Sequence, residues 1–167
     1  MVGARSAADN LLAHEVGAQR IVQVPYFLPA ERPIGVDPPT PAAARAALGL
    51  DPERPLVLGG GVFDWRKAPD LLLHATWHLR RRGEDVQVVW VGDRNERPTW
   101  CEWDEESARL GLTDRARHLP ATPDLAAVLA AADVFVLSSR EDTFPLVCLE
   151  AASLGVPIVC FDDAGIR

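Results

Sequence analysis

The sequence predicts an α/β domain built on a doubly wound parallel sheet, and three observations carry that reading. Short segments such as Leu56-Val-Leu-Gly and Val86-Gln-Val-Val-Trp-Val-Gly are largely apolar at successive positions, which calls for cover on both faces of the strand. Helical segments alternate with them along the chain. Glycine and proline mark the junctions, and right-handed crossovers then wind the helices onto both faces of the sheet.

The elements follow in order. Ser6 to His14 reads as a short helix, with Ser6 as its cap and Leu11 and Leu12 on its apolar side. Ile21-Val-Gln-Val-Pro-Tyr-Phe is strand-like, and the proline-rich stretch Pro29 to Pro41 reads as an irregular connector. Pro41 to Leu48 has helical punctuation, proline near its start and Gly49 at its end. These elements make up an N-terminal portion, residues 1–50, ahead of a domain spanning 51–167. In that domain a strand at Leu56 to Gly59 is followed by a helix from Lys67 to Arg82 and a strand from Val86 to Gly92. A helix from Trp100 to Leu110, a short strand from Arg115 to Leu119 and an alanine-rich helix from Asp124 to Ala132 come next. The strand Val134-Phe-Val-Leu, a helix from Phe144 to Leu154 started by Pro145 and stopped by Gly155, and a last strand Pro157-Ile-Val-Cys-Phe complete the pattern.

Bulk composition narrows the partners. The chain has 167 residues, with 17 basic and 24 acidic side chains and a net charge of −7. That balance disfavours duplex nucleic acid and anionic membrane, each of which needs a basic face. The three cysteines, Cys101, Cys148 and Cys160, lack metal-type spacing; two fall in apolar segments and read as small core residues. An odd count suits a reducing compartment. No charge-free apolar run is long enough to span a membrane, and the first residues lack the apolar core of a secretory signal, so the expected location is cytoplasmic.

In a doubly wound sheet, ligands bind at the carboxyl ends of the strands near the point where strand order reverses. The first such end carries Gly59-Gly60-Gly61-Val62-Phe63-Asp64-Trp65-Arg66-Lys67. Glycine lets backbone approach a ligand closely. Arg66 and Lys67 stand where the next helix begins, against its macrodipole, at roughly 0.3–1 kcal/mol each. An anionic ligand would offset this; a tight turn with two solvated basic side chains is the alternative. The run matches neither the dinucleotide fingerprint nor the phosphate loop.

The second end carries Ser138-Ser139-Arg140-Glu141-Asp142, followed by a helix start at Thr143 to Pro145. First-turn amides lack intrahelical partners and suit an anion such as a diphosphate. Asp142 could equally cap that helix, worth ~1 kcal/mol. Glu150 is the only charged residue between Phe144 and Phe161, inside a segment that reads as buried. A carboxylate there needs a partner or a polar cleft. A pair of sugar hydroxyls would serve, and so would a structural salt bridge.

From Asp133 to Val159 the sequence resembles the donor-site signature of the retaining family 4 glycosyltransferases, enzymes with two Rossmann-like domains in the GT-B arrangement. Gly59 to Leu71 and Val89-Trp-Val-Gly-Asp resemble that family's first strand-loop-helix and second strand, and the likeness runs from about Ser6 onward. The family pattern is an acid, seven residues, then Glu; Asp142 and Glu150 have that spacing, with Asp where Glu is usual. The resemblance implies that Glu150 binds ribose hydroxyls and that Asp142 faces the transferred sugar. Backbone near Phe144, Pro145 and Leu146 would surround the diphosphate, opposite Gly60 and Gly61. Lys67 matches the phosphate-binding lysine, although Ala68 replaces the usual glycine; the family's preceding arginine is absent, and Arg66 is the nearest substitute. Asp142 and Lys67 are thus the implied catalytic pair, Lys67 and the helix amides stabilising the departing nucleoside diphosphate.

No cofactor and no metal is implied, since cations and amides take that role. The implied partners are a nucleotide-sugar donor and a sugar or lipid acceptor held by an N-terminal domain absent from these residues. The domain at 51–167 would then be a donor domain incomplete at its C-terminus, binding nucleotide without transferring sugar alone. A non-catalytic nucleotide-binding or interaction module, and a nucleotide-sugar epimerase, are the alternatives. His74 and His78 are four apart on a helix but lack a third ligand. Glu102, Asp104, Glu105 and Glu106 read as a solvated helix face, with Trp100 and Trp103 on its buried side. Asp162 and Asp163 follow the last strand, to touch donor hydroxyls or simply to end it.

Overall fold

Five short strands, three of them rich in β-branched and aromatic residues, form one parallel sheet in a computed structural model that describes residues 2, 4–24, 27, 28, 39–94, 102–142 and 144–162. They are β1 (Leu56–Gly60), β2 (Gln87–Val91), β3 (Ala116–Leu119), β4 (Val134–Leu137) and β5 (Ile158–Cys160), ordered β3-β2-β1-β4-β5. The register pairs Leu58 with Val89 on one side and with Phe135 on the other. The helices are α1 (Arg5–Ala13), α2 (Pro41–Ala47), α3 (Pro69–Arg81), α4 (Trp103–Arg109), α5 (Leu125–Ala130) and α6 (Leu146–Ser153).

Strand side chains alternate between two cores, as a period of two demands. Leu56, Leu58, Val89, Val91, Phe135 and Leu137 pack with Ala44 of α2, Val128 and Leu129 of α5, and Cys148 and Ala151 of α6. Val57, Val88 and Trp90 pack on the opposite face with Leu72 and Leu73 of α3 and Trp103 of α4. The doubly wound reading therefore holds, and β1 and β2, buried along their whole length, explain the continuous apolar runs.

Arg45 anchors the lower end of the sheet. Its guanidinium is buried and donates to the Ala131 carbonyl at 2.8 Å, the Pro52 carbonyl at 3.1 Å and Asp133 Oδ2 at 2.6 Å. The same Asp133 oxygen accepts the Leu56 amide at 2.6 Å, which fixes where β1 starts beside β4.

Several boundaries differ from the sequence reading. Helix α1 begins at Arg5 with Ala4 at its N-cap, so Ser6 lies inside the first turn rather than capping it. Ile21 to Phe27 does not form a strand among the described residues. A 3₁₀ turn ends at Arg20, and Gln23 makes an isolated parallel bridge to Val2. Val22, Val24 and Phe27 are exposed, so no sheet neighbour rewards extension there. Helix α3 starts at Pro69, not Lys67, because proline disfavours helical geometry in the residue before it and Ala68 adopts φ 56°. Helix α6 starts at Leu146 with Pro145 as its N-cap, two residues after the expected start at Phe144, and α4 starts at Trp103 rather than Trp100. Cys148 is buried as expected, but Cys160 is exposed, since β5 is an edge strand with one neighbour. The connector at 29–38, Pro25, Tyr26, Trp100, Cys101, Thr143 and Asp163 lie outside the described residues. No described helix is long and apolar enough to cross a membrane.

Candidate functional site

Strands β1 and β4 are neighbours, but the chain leaves them toward opposite edges of the sheet: β1 toward β2 and β3, β4 toward β5. The crevice this opens lies at their carboxyl ends. A cavity of about 360 Å³ occupies it. Gly60, Gly61 and Lys67 form one wall, and Phe144, Pro145, Leu146 and Val147 at the start of α6 form another. Val91 and Gly92 close the β2 side, with Ala121, Thr122 and Leu125 beyond them.

Two glycines are required where these segments meet. Gly61 has φ 136°, and a Cβ there would lie 3.1 Å from the Lys67 side chain. Gly92 has φ 148°, and its Cβ would fall 2.1 Å from the Gly61 carbonyl oxygen, a collision with backbone. That same oxygen accepts the Trp90 indole N–H at 2.9 Å, so the core helps to hold the loop that leaves β1. A Cβ on Gly59 would meet Leu72 at 2.5 Å; this glycine serves packing and does not line the cavity.

The turn that carries Lys67 is held from three sides. Asp64 Oδ1 accepts the Lys67 amide at 2.7 Å. Ser138 Oγ donates to the Lys67 and Ala68 carbonyls at 3.2 and 3.0 Å. The Arg140 amide donates to the Arg66 carbonyl at 2.8 Å, while its guanidinium reaches the Trp65 carbonyl and the Asp70 carboxylate. The loop after β1 is thereby fastened to the loop after β4. The result places Lys67 Nζ 2.5 Å from Asp142 Oδ2, with Ser139 Oγ 3.4 Å from the same oxygen. Both side chains are withdrawn from solvent, Lys67 at 15% exposure and Asp142 at 6%.

Asp142 therefore pairs with Lys67 rather than capping α6, whose N-cap makes no side-chain hydrogen bond. The Leu146 and Val147 amides, at the first positions of that helix, have no intrahelical acceptors. Glu150 follows Leu146 by one turn and so shares its face. It is half-buried rather than buried, and its carboxylate has no hydrogen-bond or ion-pair partner among the described residues. The salt-bridge alternative thus finds no counterpart there.

Arg66 does not line the cavity. Its side chain, 43% exposed, engages the Glu141 carbonyl and lies 3.6 Å from Asp64. The positive charge at the site is Lys67 alone among the lining residues.

The remaining candidates sit elsewhere. His74 Nε2 is 3.2 Å from Glu106, and His78 packs against Trp77. Asp104 pairs with Arg94 at 3.0 Å and Glu106 with Arg109, while Trp103 is buried against Phe63 and Trp90. No described cluster of three His, Cys, Asp or Glu side chains is arranged to hold a metal. Asp162 is exposed. Burial pushes the Cys148 thiol up to about 12, with the negative charge of Asp142 adding to the shift. Sequence reading missed Arg140, Asp70, Ser138 and the wall at Ala121 and Thr122. Ser138, a small polar residue directly after an apolar strand, was the one local signal available.

Residues 54–167 match the family described as Glycosyl transferases group 1. The chain is 34% identical over 176 residues to the D-inositol 3-phosphate glycosyltransferase of Nocardia farcinica, covering 95% of this chain and 39% of that protein. It is 40% identical over 135 residues to the enzyme of the same name from Salinispora tropica, covering 74% and 27% respectively. The chain thus spans well under half the length of these curated relatives. Among solved structures, WaaG, a glycosyltransferase involved in lipopolysaccharide biosynthesis, superposes with a TM-score of 0.80 at 18% identity, over 99% of this chain and 44% of that one. The Anabaena protein HepE in complex with UDP and glucose gives 0.82 at 20% identity, over 98% and 44%. These structures share the fold, a parallel sheet with helices packed on it. With the family match over most of its length and relatives above 30% identity across nearly all of it, the chain belongs to the group 1 glycosyltransferases.

Proposed function

We propose that this chain is the donor-binding part of a retaining, family 4 glycosyltransferase that takes a nucleoside-diphosphate sugar. One observation supports this reading above the others. Lys67 faces the first-turn amides at the start of α6 across a cavity at the switch point, with Glu150, which has no polar partner among the described residues, one turn further along the same helix. A diphosphate suits the ammonium and the amides together. Glu150 then accepts from the two ribose hydroxyls, and Asp142 faces the transferred sugar. As the bond between sugar and phosphate lengthens, negative charge grows on the departing nucleoside diphosphate; Lys67 and the α6 amides, already oriented, stabilise it. No metal takes part in this scheme. HepE was solved with UDP and glucose, which is in keeping with a nucleotide-sugar donor here.

The acceptor, a sugar or a lipid headgroup, is held by residues outside these 167, and the site of action is the cytoplasm. Calorimetric titration with UDP, GDP and ADP tests the proposal: one of the three should bind, and silence from all three at millimolar concentration would leave a non-catalytic interaction module as the better description. Sugar transfer by this chain alone, at rates typical of the family, would refute the assignment of the acceptor to other residues.

A further inference from the structure

The contact between Lys67 and Asp142 sets a charge where the proposed ligand is itself negative. The ammonium that should receive a phosphate holds a carboxylate at 2.5 Å, and that carboxylate is 6% exposed. An ammonium has three donors, so Lys67 can in principle serve Asp142 and a phosphate at once. Two acceptors on one ammonium lie about 4.5 Å apart. At that distance, in a partly buried site, two negative groups repel strongly. Asp142 has little room to retreat. Its loop is fastened to the Lys67 turn by the Arg140 amide and by Ser138, and Asp142 itself is within reach of Ser139. An aspartate also keeps its carboxylate near the backbone, so it cannot swing as far as a glutamate.

The repulsion grades with ligand charge. A free nucleoside diphosphate ends in a phosphate whose second proton leaves at pKa about 6, so at neutral pH that group is a dianion. When the same phosphate is esterified to a sugar, that ionisation is gone and one charge is lost. We propose that Asp142 is a specificity-determining residue that disfavours the free nucleoside diphosphate relative to its esterified form, so that the site holds donor in preference to spent product. The proposal rests on the nucleotide-sugar reading above for its biological meaning, but its physics concerns only a diphosphate at Lys67.

The experiment compares the whole chain with its Asp142→Asn variant. The probes are the nucleoside diphosphate that binds best and the methyl ester of its terminal phosphate, which removes one charge without requiring the right sugar. The substitution should tighten the diphosphate about tenfold and the methyl ester by clearly less; Lys67→Met should abolish binding of both. Unchanged or weaker diphosphate binding in Asp142→Asn overturns the proposal, as does equal tightening of both probes. Inorganic pyrophosphate and methyl pyrophosphate run in parallel. If they show the charge-dependent gain while no nucleotide binds, the nucleotide-sugar reading fails and the role of Asp142 stands. If no probe binds, both fail. A thermal melt confirms that the variant folds, and Asp142→Ser replaces it if it does not.

Discussion

The Arg140 guanidinium grips both oxygens of Asp70, at 3.1 and 2.6 Å, across a separation of 70 residues. It also donates to the Trp65 carbonyl and lies over the Trp65 ring, 5.3 Å from its centre. This two-pronged contact joins the first turn of α3 to the loop after β4, and the Lys67–Asp142 pair sits in the angle between them.

The Arg140–Asp70 pair is only partly exposed, at 25% and 14%, and is bidentate, so it should contribute more than an ordinary surface pair. Arg140→Met and Asp70→Asn are each expected to lower stability by about 1–2 kcal/mol, with a coupling of roughly 1 kcal/mol in a double-mutant cycle. Chemical denaturation of the four proteins measures this. Additive effects would mean that the two side chains act separately.

Arg45 presents a different balance. Its side chain is 7% exposed, but that of its partner Asp133 is 49% exposed, so solvent screens part of the charge attraction. What water cannot replace cheaply is the pair of backbone carbonyls at Ala131 and Pro52 that lose their donor. Arg45→Ala should therefore destabilise by about 2 kcal/mol, and Asp133→Asn by less, because an amide oxygen can still accept the Leu56 N–H. Urea unfolding that ranks the two in the opposite order would place the main energy in the ion pair.

Comparison of these residues shows what sequence can and cannot disclose. The strands and helices of 51–167 were readable to within three residues, because burial on both faces writes continuous apolar runs into β1 and β2 and because glycine and proline end the helices. Lys67, Asp142 and Glu150 stood out as candidates, a cation and an acid at loop ends and a lone charge in an apolar helix; the resemblance joined them, and the structure brings Lys67 and Asp142 into contact. Arg45 and Arg140 were not, since their partners lie 88 and 70 residues away and nothing nearby marks them. The strand expected at 21–27 does not form among the described residues for the converse reason: Ile21, Val22 and Val24 favour extension, but β propensity expresses a fit to neighbouring strands, and the described residues there make a single bridge.

Glu150 should separate stability from binding. Its carboxylate has no hydrogen-bond or ion-pair partner among the described residues, so Glu150→Ala removes no polar contact shown there and should leave the melting temperature within about 2 °C of the parent. Affinity for the nucleotide should fall about tenfold or more, the size of a pair of hydroxyl hydrogen bonds to a charged acceptor. Full-strength binding by the variant would remove Glu150 from the ribose. A large loss of stability would instead expose a structural role that its surroundings do not suggest.

The thiol of Cys148 makes stability depend on alkaline pH. Its side chain is 1% exposed, and burial, reinforced by the nearby Asp142 charge, raises its pKa from 9.0 to about 12. Below pH 9 the thiol is protonated in both folded and unfolded chains and contributes no pH dependence. Above pH 9 the unfolded chain releases the proton while the folded chain retains it, so folding is disfavoured by up to about 1.4 kcal/mol for each further pH unit until the folded pKa is reached. Cys148→Ala lacks this proton. At pH 7.5 it should be the less stable protein, by about 1 kcal/mol for the lost sulfur contacts. By pH 10 the parent should have lost that advantage, so the two urea midpoints converge. A stability gap that stays constant from pH 7.5 to 10 would show that Cys148 ionises as readily in the folded chain as in the unfolded one.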